Sequence, residues 1–199
     1  MRFLIPFICV FFMFGCASRV PLTKGLIRDY GLSSADIPRL QLYISDGILL
    51  EKRLTKIDKN IDSTSYGLIK VEDYYVKQLY FKKETPCIAT GAAPDKLAVA
   101  FEWPGGRLNF CAVSHGSAVS YDYQPHKMSA GDTLQTRPQA AGFRNWKMIG
   151  EEIYGDTSYN VLIHKNIPFL LVDKTSLKNF TIDARKVKGL RQTDVKAKY

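Results

Sequence analysis

Residues 96–113 read KLAVAFEWPGGRLNFCAV. Leu97, Val99 and Phe101 fall on alternate positions, as do Leu108, Phe110 and Ala112. That period of two belongs to a strand with one buried face. Between the two runs stands Trp103-Pro104-Gly105-Gly106, a strong turn signal. A turn at Gly105-Gly106 sets Phe101 against Phe110, and one at Pro104-Gly105 sets it against Leu108. Both registers bring the apolar sets to one face, as a half-buried hairpin requires. Cys111 then points to the opposite face.

The same pattern recurs on either side. Leu40, Leu42 and Ile44 alternate with Gln41, Tyr43 and Ser45, and Asp46-Gly47 leads into Ile48 to Arg53, so 40–54 reads as a hairpin. Residues 66–71 and 74–82 are strand-like with one wet face each, and 119–123 is a short strand. Residues 146–154 and 159–164 form a hairpin through 155–158. The apolar run Phe169 to Val172 suits a strand buried on both faces, and 176–187, with Phe180, Ile182 and Ala184 alternating, is a last strand. Helix is confined to the N-terminal part. Thr23 caps a short one ending at Tyr30, where Gly31 follows, and Pro38 ends one further turn capped by Ser33 or Ser34.

Nine or ten short strands with little helix predict a mainly β protein: an antiparallel β-sandwich or open barrel with one short N-terminal helix. No linker separates the halves, so 23–188 is expected to be a single β-rich domain. A break within 114–145, which is weakly patterned, is the alternative.

Residues 1–16, MRFLIPFICVFFMFGC, place Arg2 ahead of a nearly unbroken apolar run from Phe3 to Phe14. That is the layout of a secretory signal, and it is too short for a stable bilayer span of roughly 20 residues. Met13-Phe14-Gly15-Cys16 resembles the lipobox of bacterial lipoproteins, although Phe14 is bulkier than the Ala or Ser usual there. The resemblance implies cleavage before Cys16, lipidation of its thiol, a signal peptide over 1–15 and a tether over 16–22. Ala17 and Ser18, in place of an inner-membrane retention Asp, imply lipid anchoring in the outer membrane on its periplasmic or surface face. The resemblance concerns delivery alone, and the body of the chain is not assigned to a characterised family.

The chain of 199 residues has a net charge of +9, 46% hydrophobic and 24% charged residues, the balance of a globular protein and not of a disordered one. Residues 174–199 hold eight basic residues against Asp183 and Asp194. A basic tail over 189–199 is therefore expected to be disordered and to favour anionic envelope polymers; nucleic acid is not expected as a partner outside the cell. Of four cysteines, Cys87 and Cys111 remain once Cys9 and Cys16 are set aside. In an oxidising compartment they are candidates for a disulfide, the alternative being two small apolar thiols. No cysteine or histidine lies at metal-ligand spacing, and no phosphate loop or dinucleotide fingerprint occurs, so neither metal nor cofactor is expected. Asp58, Asn60 and Asp62 alternate like a calcium loop, but Ser63 and Ile69 occupy the positions that need Gly and Glu, so the stretch reads as a solvated turn.

Ser114-His115-Gly116-Ser117, with Asp122 as an orienter, invites a catalytic reading. Adjacent Ser and His do not by themselves make a nucleophile–base pair, and the G-x-S-x-G elbow is missing, so no catalytic residue is assigned. Tyr121, Tyr123 and Trp146 are candidates for ligand contact, with core packing the stronger expectation. Three functions follow in order. The first is a non-enzymatic envelope lipoprotein that docks on other envelope proteins in a secretion, motility or surface-assembly machine. The second is a glycan- or peptidoglycan-binding module. The third is a hydrolase.

Overall fold

Alternation of apolar and polar residues lays down thirteen strands in the computed structural model, which describes residues 18–54, 68–71, 74–129 and 145–180. In chain order they are β1 (Arg19–Pro21), β2 (Leu42–Ile44), β3 (Ile48–Leu54), β4 (Leu68–Val71), β5 (Tyr74–Phe81), β6 (Pro86–Ala92) and β7 (Lys96–Ala100). There follow β8 (Arg107–His115), β9 (Ala118–Tyr123), β10 (Lys127–Met128), β11 (Lys147–Tyr154), β12 (Thr157–Ile163) and β13 (Leu170–Asp173). One sheet has the order β1-β13-β2-β6-β7-β8-β9 and the other β10-β11-β12-β3-β5-β4, with the named strand pairs antiparallel. The protein is mainly β, with two antiparallel sheets facing each other as a sandwich.

The inner faces share one core. Leu42, Ile44, Leu97, Val99, Leu108, Phe110, Leu170 and Val172 come from the first sheet, and Ile48, Leu50, Tyr159 and Val161 from the second. Burying each such side chain contributes roughly 1.5–3 kcal/mol, and together they hold the sheets in register. Tyr123 on β9 donates its hydroxyl to Glu152 on β11 at 2.9 Å, so a polar contact also crosses the layer.

The short helix α1 (Lys24–Asp29) forms where expected, with Thr23 Oγ1 accepting the Leu26 N–H at 3.0 Å. The segment before it departs from expectation. Residues 19–21 of the expected tether are instead strand β1, paired with β13, and Leu22 is fully buried with its N–H donated to the Leu170 carbonyl at 2.9 Å. Alternation of Val20 and Leu22 inward explains it: both join the core.

Three further expectations are corrected. Residues 40–54 are not a hairpin, because β2 pairs with β13 and β6 in one sheet while β3 pairs with β12 and β5 in the other. Asp46-Gly47 is thus a corner between layers. In the 96–113 hairpin the apolar faces agree as expected, but Leu97 pairs with Phe110 and Val99 with Leu108, a register that matches neither alternative and ends at Ala100 opposite Arg107. Residues 101–106 form a longer loop in which Gly106 is buried against Tyr154, where a Cβ would lie 2.5 Å from the ring. Finally, residues 176–180 of the strand expected over 176–187 are helical, and its remainder, 181–187, lies outside the described residues: α2 (Lys174–Leu177) is capped by Asp173, whose carboxylate accepts the Thr175 N–H at 2.8 Å, and a 3-10 turn over Lys178–Phe180 follows. Cys16, the 55–64 turn and the 189–199 tail lie outside the described residues.

Candidate functional site

The hairpin of β8 and β9 turns at Gly116-Ser117, with Gly116 at φ +62°, where glycine avoids the steric cost of a side chain. On β9 the period of two then separates two kinds of residue. Tyr121 and Tyr123 point into the core, while Ala118, Ser120 and Asp122 share the other face. His115 pairs with Ala118 across the hairpin and stands on that same face.

β9 is the last strand of its sheet, and the chain partly covers its free edge. Thr23 forms an isolated bridge with Ser120 and Phe169 one with Asp122, and the Tyr123 N–H donates to the Pro168 carbonyl at 2.7 Å. The Phe169 N–H is held in turn by Ser45 Oγ at 2.9 Å. Two bridges without a continuous ladder leave a cleft of about 620 Å³ along the seam, within the range of small-molecule sites. Pro21, Ala118, Ile167 and Phe169 supply its apolar lining; Thr23, His115, Ser120, Asp122, Lys165 and Asn166 supply its polar groups.

Asp122 is the hub. Its side chain is 8% exposed, Ser120 Oγ donates to Oδ1 at 2.6 Å, and His115 Nε2 lies 2.7 Å from Oδ2. A buried carboxylate is tolerable only when hydrogen-bonded in this way. The histidine is more than half exposed at the cleft wall. Hydrolysis by a Ser-His-Asp triad needs the serine on the imidazole, with the aspartate on its far nitrogen. Here serine and histidine both bind the aspartate, so the hydroxyl is not relayed to the imidazole. Ser117 occupies the exposed turn and does not line the cleft.

The aromatic candidates lie elsewhere. Tyr123 is buried under Phe110, at 5.6 Å between ring centroids, and is bonded to Glu152. Burial, then the Glu152 charge, pushes its phenol far above the usual range. Burial also raises Glu152, against the Tyr123 and Ile153 hydrogen bonds that favour its charged form. Trp146 packs on Leu49 and Leu162 and meets Tyr80 edge-on at 5.6 Å. Tyr121 is also buried and donates to the Pro94 carbonyl at 3.3 Å. Tyr123 and Trp146 therefore serve the interior, while Tyr121 also edges a separate cleft beside Ile27 and Pro94, so the three do not form a joint stacking platform.

Cys87 and Cys111 are unpaired. β7 lies between their strands, which puts them roughly 10 Å apart across the sheet alone, beyond the ~7 Å that a disulfide spans. Cys87 also belongs to the core, whereas Cys111 is on the outer face. The disulfide expectation is thereby corrected. Among the described residues, no cluster of three His, Cys, Asp or Glu side chains is placed to hold a metal ion.

His115 and Asp122 were legible as candidates in the sequence, whereas Ser120, Lys165, Asn166 and Phe169 were not. The alternation of Ala118-Val119-Ser120-Tyr121-Asp122-Tyr123 carried the signal for Ser120, since it separates small polar residues from aromatics. A second exposed feature stands apart from the cleft. Trp103, 80% exposed, rims a groove of about 320 Å³ formed with Pro86, Ile88 and Phe101. No family model, curated protein or solved structure matches the chain.

Proposed function

We propose that the protein is a non-enzymatic, lipid-anchored component of the bacterial envelope that works by docking on other envelope proteins, within a machine for secretion, motility or surface assembly. The observation that carries this reading is Trp103. With Ile88, also exposed, it forms a contiguous apolar patch at one groove, the kind of surface that marks interaction sites, and tryptophan is among the residue types most enriched at the energetic centres of protein interfaces. The arrangement around Asp122 supports binding over hydrolysis, because it provides no activated serine. The lipobox resemblance at Cys16 supports anchoring in the outer membrane, on the periplasmic or surface face, with two or more acyl chains needed for stable retention. Only Ala17 and Ser18 would separate that anchor from β1, which holds the domain close to the bilayer. The basic residues near the C-terminus give a second attachment to anionic envelope polymer.

The test is a gentle-detergent pull-down of the full-length protein from its native membranes, compared with Trp103→Ala. Envelope partners that co-purify with the first and are lost from the second are expected. Partners retained in full by the variant would refute docking through this groove.

A second reading, binding of a small saccharide, draws on a separate observation: the seam cleft combines ligand-sized volume with a buried, hydrogen-bonded carboxylate.

A further inference from the structure

We infer that the seam cleft binds a carboxylate-bearing sugar, with Asp122 accepting from two neighbouring hydroxyls and Lys165 meeting the carboxylate. The inference rests on the saccharide reading of the cleft and assigns its site and ligand chemistry. An ionised carboxylate offers about four acceptor positions. Ser120 takes one on Oδ1 and His115 one on Oδ2, at 2.6 and 2.7 Å, which leaves one on each oxygen. Two adjacent acceptors fixed in one plane match the two hydrogens of a vicinal diol. The bonds to Ser120 and His115 also lock the carboxylate before ligand arrives, so little ordering cost remains at binding.

The other walls fit the rest of a pyranose. Phe169 and Ile167 offer an apolar surface to its C–H face, while the polar groups of β9 meet its hydroxyls. Lys165 is exposed in the same lining and makes no ion pair among the described residues. An ammonium in that place attracts an anion. A cationic ligand would meet Lys165, and a phosphate dianion would meet the buried Asp122 with a single lysine to offset it. A sugar with one carboxylate satisfies both groups together.

The experiment is calorimetric titration of the full-length protein, in detergent, with two probes. One is the disaccharide of N-acetylglucosamine and N-acetylmuramic acid, which carries a carboxylate. The other is neutral diacetylchitobiose. The acidic disaccharide is expected to bind several-fold tighter. Lys165→Ala, at an exposed position, should abolish that preference and retain the neutral sugar. Asp122→Asn should weaken both by about tenfold or more, the effect of losing hydrogen bonds to a charged group, with unfolding curves checking that the variant is folded. No saturable binding of either probe at roughly 10 mM, a Kd too weak to matter, would overturn the saccharide reading and this inference together. Binding without preference for the carboxylate, or binding indifferent to both substitutions, would overturn this inference alone.

Discussion

The Tyr123 hydroxyl gives Glu152 a hydrogen bond that its buried carboxylate needs. Because burial holds Glu152 above the usual carboxylate range, the native state keeps its proton to higher pH than the unfolded chain does. Stability from this group is therefore greatest below the unfolded value and falls as pH rises through the folded one. Tyr123→Phe removes an interaction that favours the charged form, so it raises the folded value further and widens that window. The expected cost at pH 7 is about 1–3 kcal/mol, as for leaving a buried acceptor unsatisfied. At pH 4, with the carboxyl protonated, the cost should be smaller. Urea unfolding at the two pH values measures it, and an equal loss at both would contradict the assignment. The thiols give a second residue-scale prediction. Burial pushes Cys87 up to about 12, whereas Cys111 is raised by burial but partly open to solvent. Under native conditions maleimide should modify Cys111 and spare Cys87. Denaturation without reductant should expose both to alkylation, and peptide masses showing them bridged would contradict the strand order.

At the scale of elements, β7 and β8 carry the inner face of the first sheet. Phe110→Ala should cost about 3–5 kcal/mol, the price of truncating a fully buried aromatic. Phe101→Ala should cost less, since Phe101 lies beyond the ladder and is only half-buried, against Phe81 at 4.7 Å. Equal losses in thermal unfolding would argue for the register that pairs the two. The comparison also shows what local sequence can specify. Side-chain parity over 96–113 was legible because it depends only on alternation. The register was not, because cradling Gly106 against Tyr154 is a contact between sheets. Asp46-Gly47 carried a true local turn signal, yet long-range pairing with β12 and β13 decided that it joins layers. Likewise, half of the cleft was visible in β9 itself. The other half, from Thr23 and residues 165–169, is brought by chain closure that no window of neighbouring residues reveals.

Across the whole molecule, the sandwich separates two features: a cleft at the seam beside β9 that holds the Asp122 carboxylate, and an apolar groove under Trp103. If anchoring proceeds as the lipobox resemblance implies, Cys16→Ala should leave an uncleaved or mislocalised precursor on membrane fractionation; normal processing would contradict the anchor. No described helix is long and apolar enough to cross a membrane. Docking remains the central claim, and one measurement addresses it most directly. Trp103 is replaced by the photo-crosslinking residue benzoylphenylalanine in the full-length protein, which is then irradiated in its native membranes. The account predicts discrete crosslinked species containing an envelope protein, reproducible between preparations and missing when the same residue is placed at Lys147. Irradiation that yields only the uncrosslinked chain, or the same products from both positions, would contradict it.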